Sequence, residues 1–219
     1  HKFTEVKELF ESLHSSGREV GSSFAVYKNG KPIIDIWGGY TDKQKTIPWN
    51  QNSLATVWST TKGVAAITCA LAVEKGLLDY EEKVSHYWPE FGCNGKEDIT
   101  VGMLLSHQAG ICGSATNDVK DYYNQNTMAE ELAAMKPIWK PGTASGYHSM
   151  TYGWLTSELI IRVTGKTLGA FYADEIGNPN EIDFFIGLPE SEENRVVEMV
   201  PFPKEENQSQ ESTEINDAK

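Results

Sequence analysis

The sequence predicts an α+β fold, with an antiparallel hairpin near its start and a mostly helical lobe after it. Three observations carry this. A helical apolar period gives way to strand-like segments around Asn29-Gly30, a long apolar run follows Ser59, and short helical stretches alternate with polar loops between residues 101 and 165.

Phe3, Val6, Leu9, Phe10 and Leu13 recur at helical spacing, so the chain opens with an amphipathic helix that ends near Gly17. The next two segments, 22–28 and 31–40, flank Asn29-Gly30, a dipeptide that accepts the positive φ angles of a type I′ hairpin turn. Pro32 lacks a ladder donor and fits a strand start or a sheet edge. Residues 59–75 are rich in Ala, Val, Ile and Leu on nearly every side and are followed by Gly76, which predicts a buried helix with a glycine stop. Helices are also expected over 101–107, over 127–135 with Thr127 and Glu130 as a capping box, and over 152–163 ending at Gly165. From Glu205 onward there is one large apolar residue, too little to offset the entropy of ordering, so residues 204–219 are expected to form a disordered acidic tail after a domain over 1–203.

The 219 residues, 39% hydrophobic and 11% aromatic, can bury a core and are too few to imply several large domains. The net charge of -12 is uneven, because residues 181–219 carry 11 acidic against 3 basic residues. No basic stripe exists to neutralise phosphates, which argues against a nucleic-acid partner. No apolar run has the ~20 residues of a membrane span. Cys69, Cys93 and Cys112 include no C-x-x-C pair and read as ordinary buried thiols of a reducing compartment such as the cytoplasm. The chain begins at His1 and not at Met, so a targeting signal upstream stays open. His1, His14, His86, His107 and His148 are scattered without paired spacing, so no metal site is expected, and His107 reads as a satisfied core histidine. The α/β-hydrolase elbow, the Walker loop and the dinucleotide fingerprint are all missing from the sequence.

The chemistry sits where the apolar run begins. Ser59-Thr60-Thr61-Lys62 places a hydroxyl and an amine one helical turn apart on one face. At a helix N-terminus the dipole favours a developing alkoxide and, with desolvation, a neutral amine, so Lys62 could take the Ser59 proton during attack on a carbonyl carbon. The competing reading is a helix cap with a solvated lysine. Against it stand the continuity of the apolar run and Trp58 directly before the serine. Tyr147, in Tyr147-His148-Ser149, precedes a helix and could present its phenol to a pocket. Beside a charged Lys62 it would be pushed toward phenolate and become the better base; spacing alone favours a packed aromatic.

Ser59-Thr60-Thr61-Lys62-Gly63, then Leu104-Leu105-Ser106-His107-Gln108-Ala109-Gly110-Ile111, then Pro141-Gly142 leading to Tyr147-His148-Ser149, together resemble the beta-lactamase-related serine hydrolases. That group includes class C beta-lactamases, penicillin-binding peptidases, family VIII esterases and animal beta-lactamase-domain proteins. The likeness covers roughly residues 1–190. It implies an antiparallel sheet flanked by helices with a mostly helical lobe, and an active site between them without metal or cofactor. It also implies Ser59 as the acylated nucleophile, Lys62 as its base, Tyr147 as assisting base and acid, and the Ser59 N–H as one oxyanion donor. His148 and Ser149 stand where the family contacts substrate, although Ser149 replaces the family's usual Asn.

The family's late Lys- or His-x-Gly strand has no counterpart after residue 149, so the chain reads as the N-terminal part of such a domain, with one wall of the site missing. An unpaired hairpin edge and an uncovered apolar helix then predict poor solubility or a homo-oligomer. Three functions follow as expectations. The first is a serine hydrolase of an ester, amide or peptide bond in a small-molecule or peptide substrate. The second is a silent relative used for binding or self-assembly, and the third is an unrelated helical interaction domain in which Ser59 only caps a helix.

Overall fold

A computed structural model of the chain describes residues 2–113, 116 and 118–201. The tail expected over 204–219, and the boundary at 203, lie outside the described residues. The described residues divide into two compact units, one of residues 2–56 with 190–201 and one of residues 57–189.

In the first unit, helix α1 (Thr4–Ser15) is followed by strands β1 (Gly21–Lys28) and β2 (Lys31–Gly39), paired antiparallel from Gly21 opposite Gly39 to Lys28 opposite Lys31. Asn29 and Gly30 both have positive φ, 52° and 72°, as the type I′ turn requires. The register slips between Val26 and Tyr27, which brings Tyr27 opposite Pro32, so the residue without an N–H donor sits beside the irregularity at the start of β2. The chain returns to this unit late: Leu54 N–H donates to Arg195 and Val197 N–H donates to Leu54, forming a short parallel bridge.

The second unit is helical: α2 (Thr60–Glu74), α3 (Val84–Tyr87), α4 (Val101–Leu105), α5 (Gln125–Ala134), α6 (Thr151–Thr164) and α7 (Leu168–Tyr172). Two apolar clusters hold it together. One gathers Val84, Trp88, Phe91, Ile99, Leu104, Leu132, Leu155 and Leu159. The other gathers Ala65, Cys69, Ala72, Leu78, Tyr152, Ile160 and Phe171. Helix α6 serves both, because its buried residues spread over more than half of its circumference, Leu155 and Leu159 entering the first cluster and Tyr152 and Ile160 the second.

Three expectations about these elements change. The helix behind Ser59 is half buried: Ala65, Thr68, Cys69 and Ala72 form its inner face, while Ile67 is 60% exposed. Helix α5 is capped by Asn124, whose side chain accepts from the N–H groups of Asn126 and Thr127, so Thr127 lies inside the first turn and is not the cap. Of the three free thiols only Cys69 is buried, where desolvation pushes its pKa up to about 12; Cys93 and Cys112 are partly exposed. No helix among the described residues is long and apolar enough to cross a membrane.

Candidate active site

All the candidate site residues lie in the helical unit. Trp58 has φ of +47°, a left-handed conformation that costs a residue with a Cβ roughly 1–2 kcal/mol. It turns the chain so that Ser59 opens α2. The first turn closes tightly, with Thr60 N–H on Val57, Thr61 N–H on Trp58 and Lys62 N–H on Ser59, at 3.0–3.1 Å. Ser59 occupies the N-cap position but its side chain caps nothing. Its Oγ instead accepts a 3.2 Å hydrogen bond from Lys62 Nζ. The same amine donates to the Ser149 main-chain carbonyl at 2.7 Å and lies 4.9 Å from the centre of the Tyr147 ring. Hydroxyl, amine and phenol therefore share one cluster, and the reading of Ser59 as a mere cap is set aside.

Tyr147 is carried by an irregular segment that is laced onto the turn after α4. Ile138 N–H donates to Gly110, Gly142 N–H to Gln108, and Gly146 N–H to His107. Ser145 Oγ donates to the Ser106 carbonyl, and His148 N–H donates to His107 Nδ1 at 3.1 Å. Thr151 Oγ1 donates to the Ile111 carbonyl and fixes the start of α6. Two glycines are needed here for different reasons. Gly110, at φ of +75°, completes the turn, and Gly146 leaves room for Trp139, whose ring would lie 2.4 Å from any Cβ at that position. The Leu104-to-Ile111 stretch thus acts as a rail for the tyrosine segment.

Electrostatics follows this geometry. The Tyr147 phenol is held below the usual tyrosine range by its hydrogen bonds to Ser59 and then Lys62, helped by the Lys62 charge and opposed by a little desolvation. His107 is held below the ordinary histidine value by burial and then by the Lys62 cation. His148 is fully buried and likewise lowered, chiefly by desolvation. Its Nε2 accepts from Ile111 N–H at 3.1 Å and its Nδ1–H donates to the Gly146 carbonyl at 2.7 Å, which fixes the neutral tautomer.

The structure brings Ser59, Lys62 and Tyr147 together. Ser149 joins them through its carbonyl, so the short side chain does not sever the lysine contact. The expected substrate contact from His148 is corrected: a wholly buried ring with both nitrogens bonded to backbone has no atom left for a ligand. His107, read from sequence as a core histidine, is instead a neighbour of the site, its ring 5.1 Å from Tyr147. Its position inside the Leu-Leu-Ser-His stretch was the available signal; its positive φ of 64° could not be read from spacing. Among the described residues no three His, Cys, Asp or Glu side chains converge as a metal site needs.

The family model described as Beta-lactamase matches residues 6–212. The esterase/beta-lactamase LipL of Mycobacterium tuberculosis is 37% identical over 201 residues, covering 91% of this chain and 47% of its own length. Among solved structures, a family VIII carboxylesterase is 43% identical with a TM-score of 0.86, over 91% of this chain and 55% of that one. A penicillin-binding protein homologue from Caulobacter crescentus is 38% identical with a TM-score of 0.86, over 91% and 54% respectively. The chain spans about half the length of the relatives it matches.

Proposed function

The chain belongs to the beta-lactamase family, and from that premise we propose that it is a serine hydrolase that cleaves an ester, amide or peptide bond through an acyl-enzyme on Ser59. The observation that carries this reading is the Lys62 amine, bonded to the Ser59 hydroxyl while facing the Tyr147 ring. The relatives named esterase and carboxylesterase support an ester carbonyl as the first substrate to try.

In this reading Ser59 Oγ attacks the carbonyl carbon as its proton passes to the Tyr147 phenolate. Phenolate is within reach because hydrogen bonding to Ser59 and Lys62 favours the charged form. The Lys62 ammonium keeps hydroxyl and phenol in one hydrogen-bonded group and offsets the negative charge that moves between them. The Ser59 N–H, at the positive end of α2, supplies one donor to the tetrahedral oxyanion. Tyr147 then returns the proton to the departing alcohol or amine, and water attacks the ester of Ser59 by the reverse sequence.

A fluorophosphonate probe tests this directly. The expected result is a covalent adduct located on Ser59 by peptide mass spectrometry and lost in Ser59→Ala. Absence of an adduct from a folded sample would instead favour a silent relative that uses the fold for binding or self-assembly.

A further inference from the structure

Building on the acyl-enzyme reading, we propose that His107 is a positioning residue: its carbonyl holds the Gly146 amide before Tyr147, its neutral ring holds the His148 amide after it, and protonation of the ring opens the clamp. The two bonds bracket the phenol. Gly146 N–H donates to the His107 carbonyl at 3.1 Å, and His148 N–H, the amide that follows Tyr147, donates to His107 Nδ1 at 3.1 Å. Both acceptors face the tyrosine segment because His107 adopts φ of +64°, a conformation His tolerates better than most residues with a Cβ. Its ring lies 5.1 Å from Tyr147, 4.9 Å from Tyr152 and 5.3 Å from His148.

An Nδ1 that accepts a hydrogen bond requires the neutral tautomer with its proton on Nε2. A second proton removes the acceptor and turns the bond into a contact between two N–H groups. It also adds a positive charge near Lys62. The titratable groups that face the ring are Lys62 from α2, Tyr147 and His148 from the tyrosine segment, and Tyr152 from α6. None of them is a carboxylate that would favour the imidazolium. Burial and the Lys62 charge act in the same direction, so the clamp opens only at a pH below the ordinary histidine value.

Two substitutions and one spectrum test this. His107→Asn keeps tolerance of the left-handed backbone and offers a carbonyl oxygen near the Nδ1 position, but cannot gain a proton; His107→Leu offers no acceptor. The readout is the rate of Ser59 labelling by the fluorophosphonate across pH. In the wild type that rate should fall more steeply at a pH below the ordinary histidine value, as a second proton is taken up. His107→Asn should lose this steepening, and His107→Leu should be slower by roughly 10- to 100-fold throughout, the scale set by a misplaced catalytic group. Retention of the steepening in His107→Asn, which still contains His148, would overturn the proposal, as would His107→Leu labelling at the wild-type rate. If His107→Leu fails to fold or the wild type does not label, imidazole nitrogen NMR reads the clamp by itself. A ring protonated on Nε2 with Nδ1 as acceptor supports it, and a ring protonated on Nδ1 refutes it. A wild type that does not label thus sinks the hydrolase reading alone, whereas a wrong tautomer sinks the clamp.

Discussion

Lys62 grips the main chain of Ser149 and not its side chain, the amine donating to the carbonyl at 2.7 Å while also reaching Ser59 Oγ at 3.2 Å. Any L-residue at 149 offers that carbonyl, so the two positions should respond differently to substitution. Lys62→Met removes the charge and both bonds, so the Tyr147 base loses the cation that favours its phenolate and Ser59 labelling should drop about 100-fold or more, the scale of an impaired acid–base group. Ser149→Ala should slow labelling by less than about tenfold, well below that cost. Fluorophosphonate kinetics on the two variants check both outcomes.

Tyr147 carries the alkaline side of the pH profile. Its phenol is stabilised as phenolate by the Ser59 and Lys62 hydrogen bonds and the Lys62 charge, so its pKa lies below the usual 10.0. The reactive form therefore accumulates as pH rises toward that lowered value, and the Ser59 rate should climb with it. Tyr147→Phe should abolish this rise and reduce the rate by about 100- to 10,000-fold, the range for a positioned acid–base group. Ultraviolet difference titration of the wild type against the variant locates the ionisation independently.

Much of this arrangement could be read from the residues. The Asn29-Gly30 turn, the helix behind Ser59 and the stop at Gly165 depend on local rules of backbone conformation and period, and each lies where those rules put it. Spacing alone put Ser59 and Lys62 on one face. What could not be read was tertiary. That Ser149 acts through its carbonyl, that His148 is sealed against Ile111, and that His107 rails the tyrosine segment all depend on contacts between residues about 40 to 90 positions apart. No periodicity encodes such contacts. The cap of α5 failed for the opposite reason, since Asn124 and Thr127 are both good caps and the sequence contains each at a plausible start.

Acid should destabilise the fold through its two lowered histidines. His107 and His148 are neutral in the fold, with values below the ordinary 6.5, and bind protons more readily once unfolded. Their contribution is therefore complete above about pH 6.5 and is lost as pH falls through the lower folded values. Thermal melts followed by circular dichroism should show a midpoint that drops on acidification in this window. His148→Leu should cost about 1–3 kcal/mol at neutral pH, since Ile111 N–H and the Gly146 carbonyl lose their partner, and its midpoint should depend less on pH. A variant as stable and as acid-sensitive as the wild type would refute the assignment.

Two glycines give opposite outcomes for the same substitution. At Gly146 a Cβ would sit 2.4 Å from the Trp139 ring, and Gly146 is held to the His107 carbonyl by its own N–H, so neither backbone nor indole can move without disturbing the segment that carries Tyr147. Gly146→Ala should destabilise the protein by about 1–3 kcal/mol, as overpacking does, and slow Ser59 labelling in step. Gly153 lies within α6, its Cβ direction meets nothing within 4 Å, and its φ is not positive. There Ala removes only the entropic penalty of glycine in a helix, so Gly153→Ala should raise stability by about 0.5–1 kcal/mol and leave the labelling rate where it was. Urea unfolding and probe kinetics on the pair separate the two causes. Loss of labelling in Gly153→Ala would mean that α6 itself must flex for the site to work, and wild-type behaviour in Gly146→Ala would mean that Trp139 has room to turn aside.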